Sequence, residues 1–254
     1  SNRMLDDKSP WFKGFCSVKE KKVKTIKEFQ EVIGYEFENE SLLRQALTHS
    51  SYANEKHMKK LSDNERLEFL GDAVLEAVSS EFLFLNYRDL PEGHLTRLRA
   101  SMVCEPTLAY CTKEIDLGSY IYLGKGEDMT GGRTRKSVLS DALEAVIGAI
   151  FLDGGFDAAK AFVLRYIMTD IEHKRMFYDS KTILQEVCQA KFHQNVTYHL
   201  LGESGPDHAK VFHVDVTVGD HKLGDGSGGT KKAAEQEAAY HGLLYLKQQE
   251  SQNK

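Results

Sequence analysis

Cysteine is scarce in this chain of 254 residues, and its spacing carries no pattern: Cys16, Cys104, Cys111 and Cys188 contain no C-x-x-C pair. That excludes a disulfide-framed secreted scaffold and a cysteine zinc site, and leaves reduced, mostly buried thiols as the expectation. Long apolar runs are missing as well. The longest is about the size of Ala145 to Phe151, far short of the roughly 18 to 20 residues that span a bilayer. No charged-then-apolar segment opens the chain, so a cytoplasmic protein with no membrane partner is expected. Positive charge is also short, with 33 Lys and Arg against 38 Asp and Glu and a net charge of −5. A deficit of that kind argues against a nucleic-acid partner unless the basic groups are concentrated in one place. Ser1-Asn2-Arg3 ahead of Met4 reads as an expression scar. The length allows one large domain or two ordinary ones with real cores.

What the chain does have is two short acidic clusters. One is Asn64-Glu65-Arg66-Leu67-Glu68-Phe69-Leu70-Gly71-Asp72, and the other is Ser140-Asp141-Ala142-Leu143-Glu144. Both sit in helical apolar patterns, and each sets two carboxylates about one turn apart, Glu68 with Asp72 and Asp141 with Glu144, on one helix face. Packed together, four like charges repel unless protons or cations compensate. A divalent ion is the natural compensator. All-oxygen ligands favour Mg²⁺, with Mn²⁺ as substitute, over zinc, and such ions are at home where a substrate supplies phosphate oxygens.

From Thr25 to about residue 173 the pattern is helix after helix. Thr25 with Glu28, and Ser62 with Glu65, have the spacing of a capping box, and Gly34 is placed to end the first of these helices. Leu67, Leu70, Val74, Leu75 and Val78 continue one stripe; Val138, Ala142, Ala145, Val146, Ala149 and Ile150 form another whose small residues allow close helix approach. Pro91, Pro106 and Gly131-Gly132 punctuate the helices between. Residues 1–24 form an amino-terminal extension in which Trp11 and Phe12 are expected to anchor to the core, and 25–173 a helical domain. Residues 174–180 read as a linker, because His173-Lys174-Arg175 opens a polar, charged stretch. Residues 181–250 form a smaller domain: a helix over Thr182–Phe192, a strand at Thr197–Leu201, an alternating strand at Phe212–Val218, a turn at Gly219-Asp220, a strand near Lys222–Gly226, flexible glycines, and a last helix from a Thr230 cap to Lys247. The fold class is α+β, an all-helical domain followed by α-β-β-β-α.

The nine-residue acidic cluster, the second cluster with Gly131-Gly132-Arg133-Thr134-Arg135 before it, the upstream Gln45-Ala46-Leu47-Thr48-His49-Ser50-Ser51 and the α-β-β-β-α tail together resemble bacterial ribonuclease III. The resemblance implies a Mg²⁺-dependent endonuclease that cuts double-stranded RNA as a homodimer. Its products would carry 5′-phosphates, 3′-hydroxyls and short 3′ overhangs, and its work would lie in ribosomal RNA and mRNA processing. Glu68, Asp72, Asp141 and Glu144 match the family's catalytic metal-binding carboxylates. They are expected to act as ligands and not as nucleophiles, with no organic cofactor. By pattern Phe69 belongs in the core; the resemblance makes it a contact to the partner subunit. Glu65 is open between a capping role and a place near the site; Thr48 and His49 either lie near the site or end a helix, and the helix end is the preferred reading.

The tail resembles a double-stranded-RNA-binding domain, a module that reads A-form shape across about 16 base pairs. Gln185 and Glu186 then face 2′-hydroxyls, the Gly205-Pro206-Asp207-His208 loop enters the next minor groove through His208, and Lys231 with Lys232 meets phosphates at a helix start. Residues 181–254 hold eight lysines and no arginine against nine acidic residues, hence a net charge of −1. Affinity is therefore expected to be modest, salt-sensitive and carried by Lys181, Lys210, Lys231 and Lys232. Two rival readings stay open at this stage. One is a non-catalytic RNA-binding protein that keeps the helical domain for dimerisation; the other is a metal-dependent hydrolase of small phosphate esters.

Overall fold

The computed structural model describes residues 24–205 and 210–252. Trp11, Phe12, Cys16 and the Pro206-Asp207-His208 part of the loop lie outside the described residues. The helical domain contains α1 (Ile26–Ile33), α2 (Glu40–Ala46), α3 (Ser50–Glu55), α4 (Glu65–Asn86), α5 (Glu92–Val103), α6 (Glu105–Cys111), α7 (Lys125–Met129) and α8 (Lys136–Tyr166). Then come α9 (Ile171–Tyr178), α10 (Ser180–Phe192), β1 (Val196–Ser204), β2 (Val211–Val218), β3 (His221–Gly228) and α11 (Lys231–Gln252). Cys104, Cys111 and Cys188 are free thiols, the last two buried.

Local chemistry sets the helix ends. The Thr25–Glu28 capping box forms at α1, and Gly34 ends that helix in the left-handed region at φ 66°. The second expected box does not form. Asn64, almost fully buried, takes the N-cap of α4 without a side-chain bond, and the Glu65 N–H is accepted by the Asp63 carboxylate at 3.3 Å instead of by Ser62. The reason lies in the preceding chain: the Asn64 N–H donates to Thr48 O at 2.9 Å, which fixes the start of α4 against the Thr48–Tyr122 bridge and leaves Ser62 outside the helix.

The core of the first domain is organised by α4 packed along α8. Their meeting point is a pair of glycines. A Cβ on Gly71 would lie 1.7 Å from Glu144 O and 2.9 Å from Gly148 N, and a Cβ on Gly148 would lie 2.3 Å from Leu67 O. The two backbones thus touch, and side chains fill the space only to either side of the crossing. Ala142, Ala145 and Ala149, all buried, keep the facing wall of α8 low. α8 is interrupted at Gly155, whose φ of 80° and ψ of −176° break the helical path.

The segment 174–180, expected to be a linker, is mostly helix: α9 runs to Tyr178 and α10 begins at Ser180. Its polar composition misled because the charges are used internally. Lys174 is buried, and its ammonium donates to Ile167 O at 2.6 Å. Ile171 packs on the core of the first domain, whereas Met176 belongs to the core of the second.

The second domain is an antiparallel sheet in the order β1-β2-β3 covered by α10 and α11. Val214, Val216 and Val218 point into the core as alternation requires, and Gly219, at φ 54°, opens the hairpin turn that pairs Val218 with His221. The glycines read as flexible belong largely to the sheet. A Cβ on Gly226 would lie 2.3 Å from Ala238 N and one on Gly224 2.6 Å from Gly242 N, so β3 is bare where α11 lies on it.

A single methyl group at the glycine crossing has no space to enter. Gly148→Ala is expected to lower the unfolding free energy by about 3 kcal/mol, the upper range for overpacking, despite alanine's better helix propensity. Urea denaturation of the two proteins measures it, and a neutral or stabilising result would contradict the backbone contact.

Candidate active site

Because α4 and α8 touch at Gly71 and Gly148, the carboxylates that precede those glycines are drawn to one place. Oxygens of Glu68, Asp141 and Glu144 all lie within 4.8 Å of one another, and each residue is only partly exposed. Asp72, one turn further along α4, is exposed and outside that triad, yet its charge acts on both Glu68 and Glu144. The two pairs read from the sequence are therefore brought together as a tight group of three with the fourth at its rim.

The electrostatics are those of an uncompensated cluster. Burial, then the charges of Asp72, Asp141 and Glu68, push the Glu144 carboxyl up to about 8. Glu68 is raised by burial first and by Asp141, Glu65 and Asp72 after it. Asp141 is raised by burial and by Glu105, while a hydrogen bond from Ser140 Oγ at 3.4 Å and the nearby His49 act in the opposite sense. Among the described residues no lysine or arginine is a cause of any of these shifts. Three converging, partly dehydrated oxygen donors whose charge no lysine or arginine among the described residues offsets fit a hard divalent cation better than a softer one.

Two contributors, Gly148 and Glu105, escaped the sequence reading. Gly148 carried no signal beyond its place in a small-residue stripe. Glu105 stands 36 positions before Asp141 with no spacing that links them. His49 both ends a helix and reaches the site's electrostatics: its Nδ1 accepts the Ser51 N–H at 3.2 Å as the N-cap of α3. Glu65, with its capping role gone, is exposed beside Glu68 and adds to the charge there. Phe69, next in sequence to Glu68, has 81% of its surface exposed where the apolar pattern had placed it in the core. It lies on the far side of α4 from Gly71, where none of the described residues buries it.

The second domain holds the other expected contacts. Lys231 and Lys232 are exposed at the start of α11, and Glu186 is exposed on α10. The Gln185 side chain is engaged: its amide donates to Asn195 Oδ1 at 2.7 Å and its carbonyl accepts the Val196 N–H at 3.2 Å. Lys181 is paired with Glu235 and lies over the Tyr198 ring at 4.8 Å, while Lys210 is 3.0 Å from Glu203. His208 lies outside the described residues. Two of the four lysines expected to face phosphate thus already have carboxylate partners within the domain.

Comparison with known proteins bears on both domains. A family model described as Ribonuclease-III-like matches residues 39–171, and the double-stranded RNA binding motif matches residues 180–246. The chain is 48% identical over 220 residues to Ribonuclease 3 of Caldanaerobacter subterraneus subsp. tengcongensis, covering 85% of this chain and 96% of that protein. It is 47% identical over 228 residues to Ribonuclease 3 of Bacillus velezensis, covering 89% of this chain and 92% of its relative. Among solved structures, a nuclease domain of ribonuclease III from Campylobacter jejuni aligns with a TM-score of 0.54 at 44% identity, over 57% of this chain and 98% of that one. That structure was described for flexibility in the region involved in its dimer formation. Three carboxylates brought to one crossing, in a helical nuclease domain followed by a double-stranded-RNA-binding fold, agree with these matches, and the chain belongs to the ribonuclease III family of endoribonucleases.

Proposed function

We propose that this endoribonuclease cleaves double-stranded RNA with Mg²⁺, or Mn²⁺ in its place, as a homodimer. Its products carry 5′-phosphate and 3′-hydroxyl ends with short 3′ overhangs. Ribosomal RNA and mRNA processing in the cytoplasm are the setting; among the described residues no helix is long and apolar enough to cross a membrane. The observation that carries this reading is the convergence of Glu68, Asp141 and Glu144 within 4.8 Å.

These three residues would hold the ion, with Asp72 at the rim able to reach it through water. A bound divalent cation supplies an acidified water and charge stabilisation at the phosphorus. The chain's own groups do the rest. Asp141 is oriented by Ser140 Oγ; Glu68 and Glu144 are fixed by the contact of their helices; the exposed Lys231 and Lys232 attract the RNA backbone. With its pKa near 8, Glu144 keeps its proton at neutral pH unless a cation displaces it, so metal binding releases a proton. The exposed ring of Phe69 supports a subunit contact beside the site. Two-fold related sites meet equivalent phosphates on antiparallel strands, so each subunit cuts one strand.

Three outcomes follow. Cleavage of a long RNA duplex should require Mg²⁺ and stop in EDTA, and Glu144→Gln should lower its rate roughly a hundredfold or more while leaving duplex binding intact; an active variant would remove the carboxylates from the chemistry. In EDTA, the folded chain holds on Glu144 a proton that the unfolded chain releases between pH 4.5 and about 8. Stability from this group is thus present below pH 4.5 and is lost as pH rises through 8. Melting temperatures in EDTA should fall over that window, with a smaller fall for Glu144→Gln and upon adding Mg²⁺; a flat profile would contradict the raised pKa. Finally, Phe69→Asp should shift sedimentation equilibrium toward monomer and reduce cleavage, whereas an unchanged dimer would assign the ring elsewhere.

A further inference from the structure

The second turn of α11 is tied by two interactions to the first turn of α10 and by two more to the end of α9 just before it. Lys181 pairs with Glu235. Ser180 Oγ donates to Gln236 O at 2.9 Å. The Gln236 amide donates to Phe177 O at 3.0 Å and also to Tyr178 O, the last carbonyls of α9. Lys181 is held from a third side by the Tyr198 ring of β1. Both charged side chains of the pair are about two-thirds covered, at 37% and 30% exposure. An ion pair so exposed contributes little to stability as a rule, and a lysine and a glutamate used this way cost a domain already short of positive charge one of its cations. The expense has to be explained by position.

The ends being tied are the ones assigned to RNA. Glu186 lies on α10 five residues beyond Lys181, and Lys231 with Lys232 lies on α11 one turn before Glu235. A duplex presents minor-groove hydroxyls and phosphates at a spacing set by its A-form geometry, and a recognition constellation tolerates only a fraction of an ångström of drift. We propose that Glu235 and Gln236 are positioning residues: with Lys181 and Ser180 they fix the separation of the two RNA-facing helix ends and so tune the domain to the A-form duplex. This deepens the reading of the second domain as the duplex-RNA module and rests on it. Neither residue touches RNA in this account, and Lys181 serves as a strut instead of a phosphate contact.

The sign of one substitution separates this from simple electrostatics. Glu235→Ala removes a negative charge beside Lys231 and Lys232 and frees Lys181, so charge alone would tighten RNA binding. The clamp requires the opposite. In the full-length chain, in EDTA, with a 30-base-pair RNA duplex and a DNA duplex of the same sequence as probes, Glu235→Ala and Gln236→Ala should each weaken RNA binding about tenfold. DNA binding should hardly change, so the RNA-to-DNA ratio falls. Assays run well below each variant's melting temperature, because a merely structural role would move that temperature and leave the ratio alone. The exchange Lys181→Glu with Glu235→Lys keeps every charge count and restores the pair with reversed polarity; it should recover most of the RNA affinity. Tighter or unchanged RNA binding by Glu235→Ala overturns the proposal, as does failure of the exchange, which would return Lys181 to a direct phosphate contact. If the unsubstituted chain fails to prefer the RNA duplex, the reading of the domain itself falls, and the clamp with it; the unsubstituted arm shows which has failed.

Discussion

Everything at the catalytic centre depends on two backbones being allowed to touch. Gly71 and Gly148 remove the side chains that would hold α4 and α8 some ångströms apart, and the main-chain atoms of one helix occupy the space where the other's Cβ would stand. The contact is what brings carboxylates from positions far apart in sequence within reach of one cation. It also makes their repulsion severe, since helices so close leave little room for water. Burial of Glu144 and the rise of its pKa are therefore two results of one packing decision. The helix crossing supplies rigidity, and the unbalanced charge supplies the appetite for metal.

Much of this arrangement was legible in the sequence because it is periodic. The apolar stripe from Leu67 to Val78 and the alanine stripe of α8 identify two buried helices and the faces that carry the acids. Alternation from Phe212 to Val218 gives the central strand. What stayed hidden depends on tertiary partners. The start of α4 moved from Ser62 to Asn64 because Thr48, distant in sequence, accepts the Asn64 N–H. Glu105 enters the site's electrostatics from α6, with no spacing that links it to Asp141. Residues 174–180 looked like a linker because composition cannot distinguish a solvated lysine from Lys174, whose ammonium is buried against Ile167 O. The β3 glycines looked flexible because a sequence shows a missing side chain but not the helix that needs the vacated space.

Charge is handled in opposite ways by the two domains. In the first, like charges converge without compensation, leaving an external cation to complete the site. In the second, Lys181, Lys191, Lys210 and Lys222 each stand beside a carboxylate, while Lys231 and Lys232 stay exposed at the start of α11. A net charge near zero is compatible with duplex recognition when the free cations sit where phosphates pass and the others serve as fasteners.

The helix between the domains answers to both cores. Ile171 is packed on one and Met176 on the other, five residues apart on a single short helix. No point of scission through α9 is neutral: a cut before Ile171 strips the nuclease core of a cover, and one after Met176 takes a core side chain from the RNA-binding fold. The boundary that the two folds draw is thus shared property, and a recombination event that exchanged either domain would have to carry this helix with it or rebuild an apolar surface on the piece that lost it.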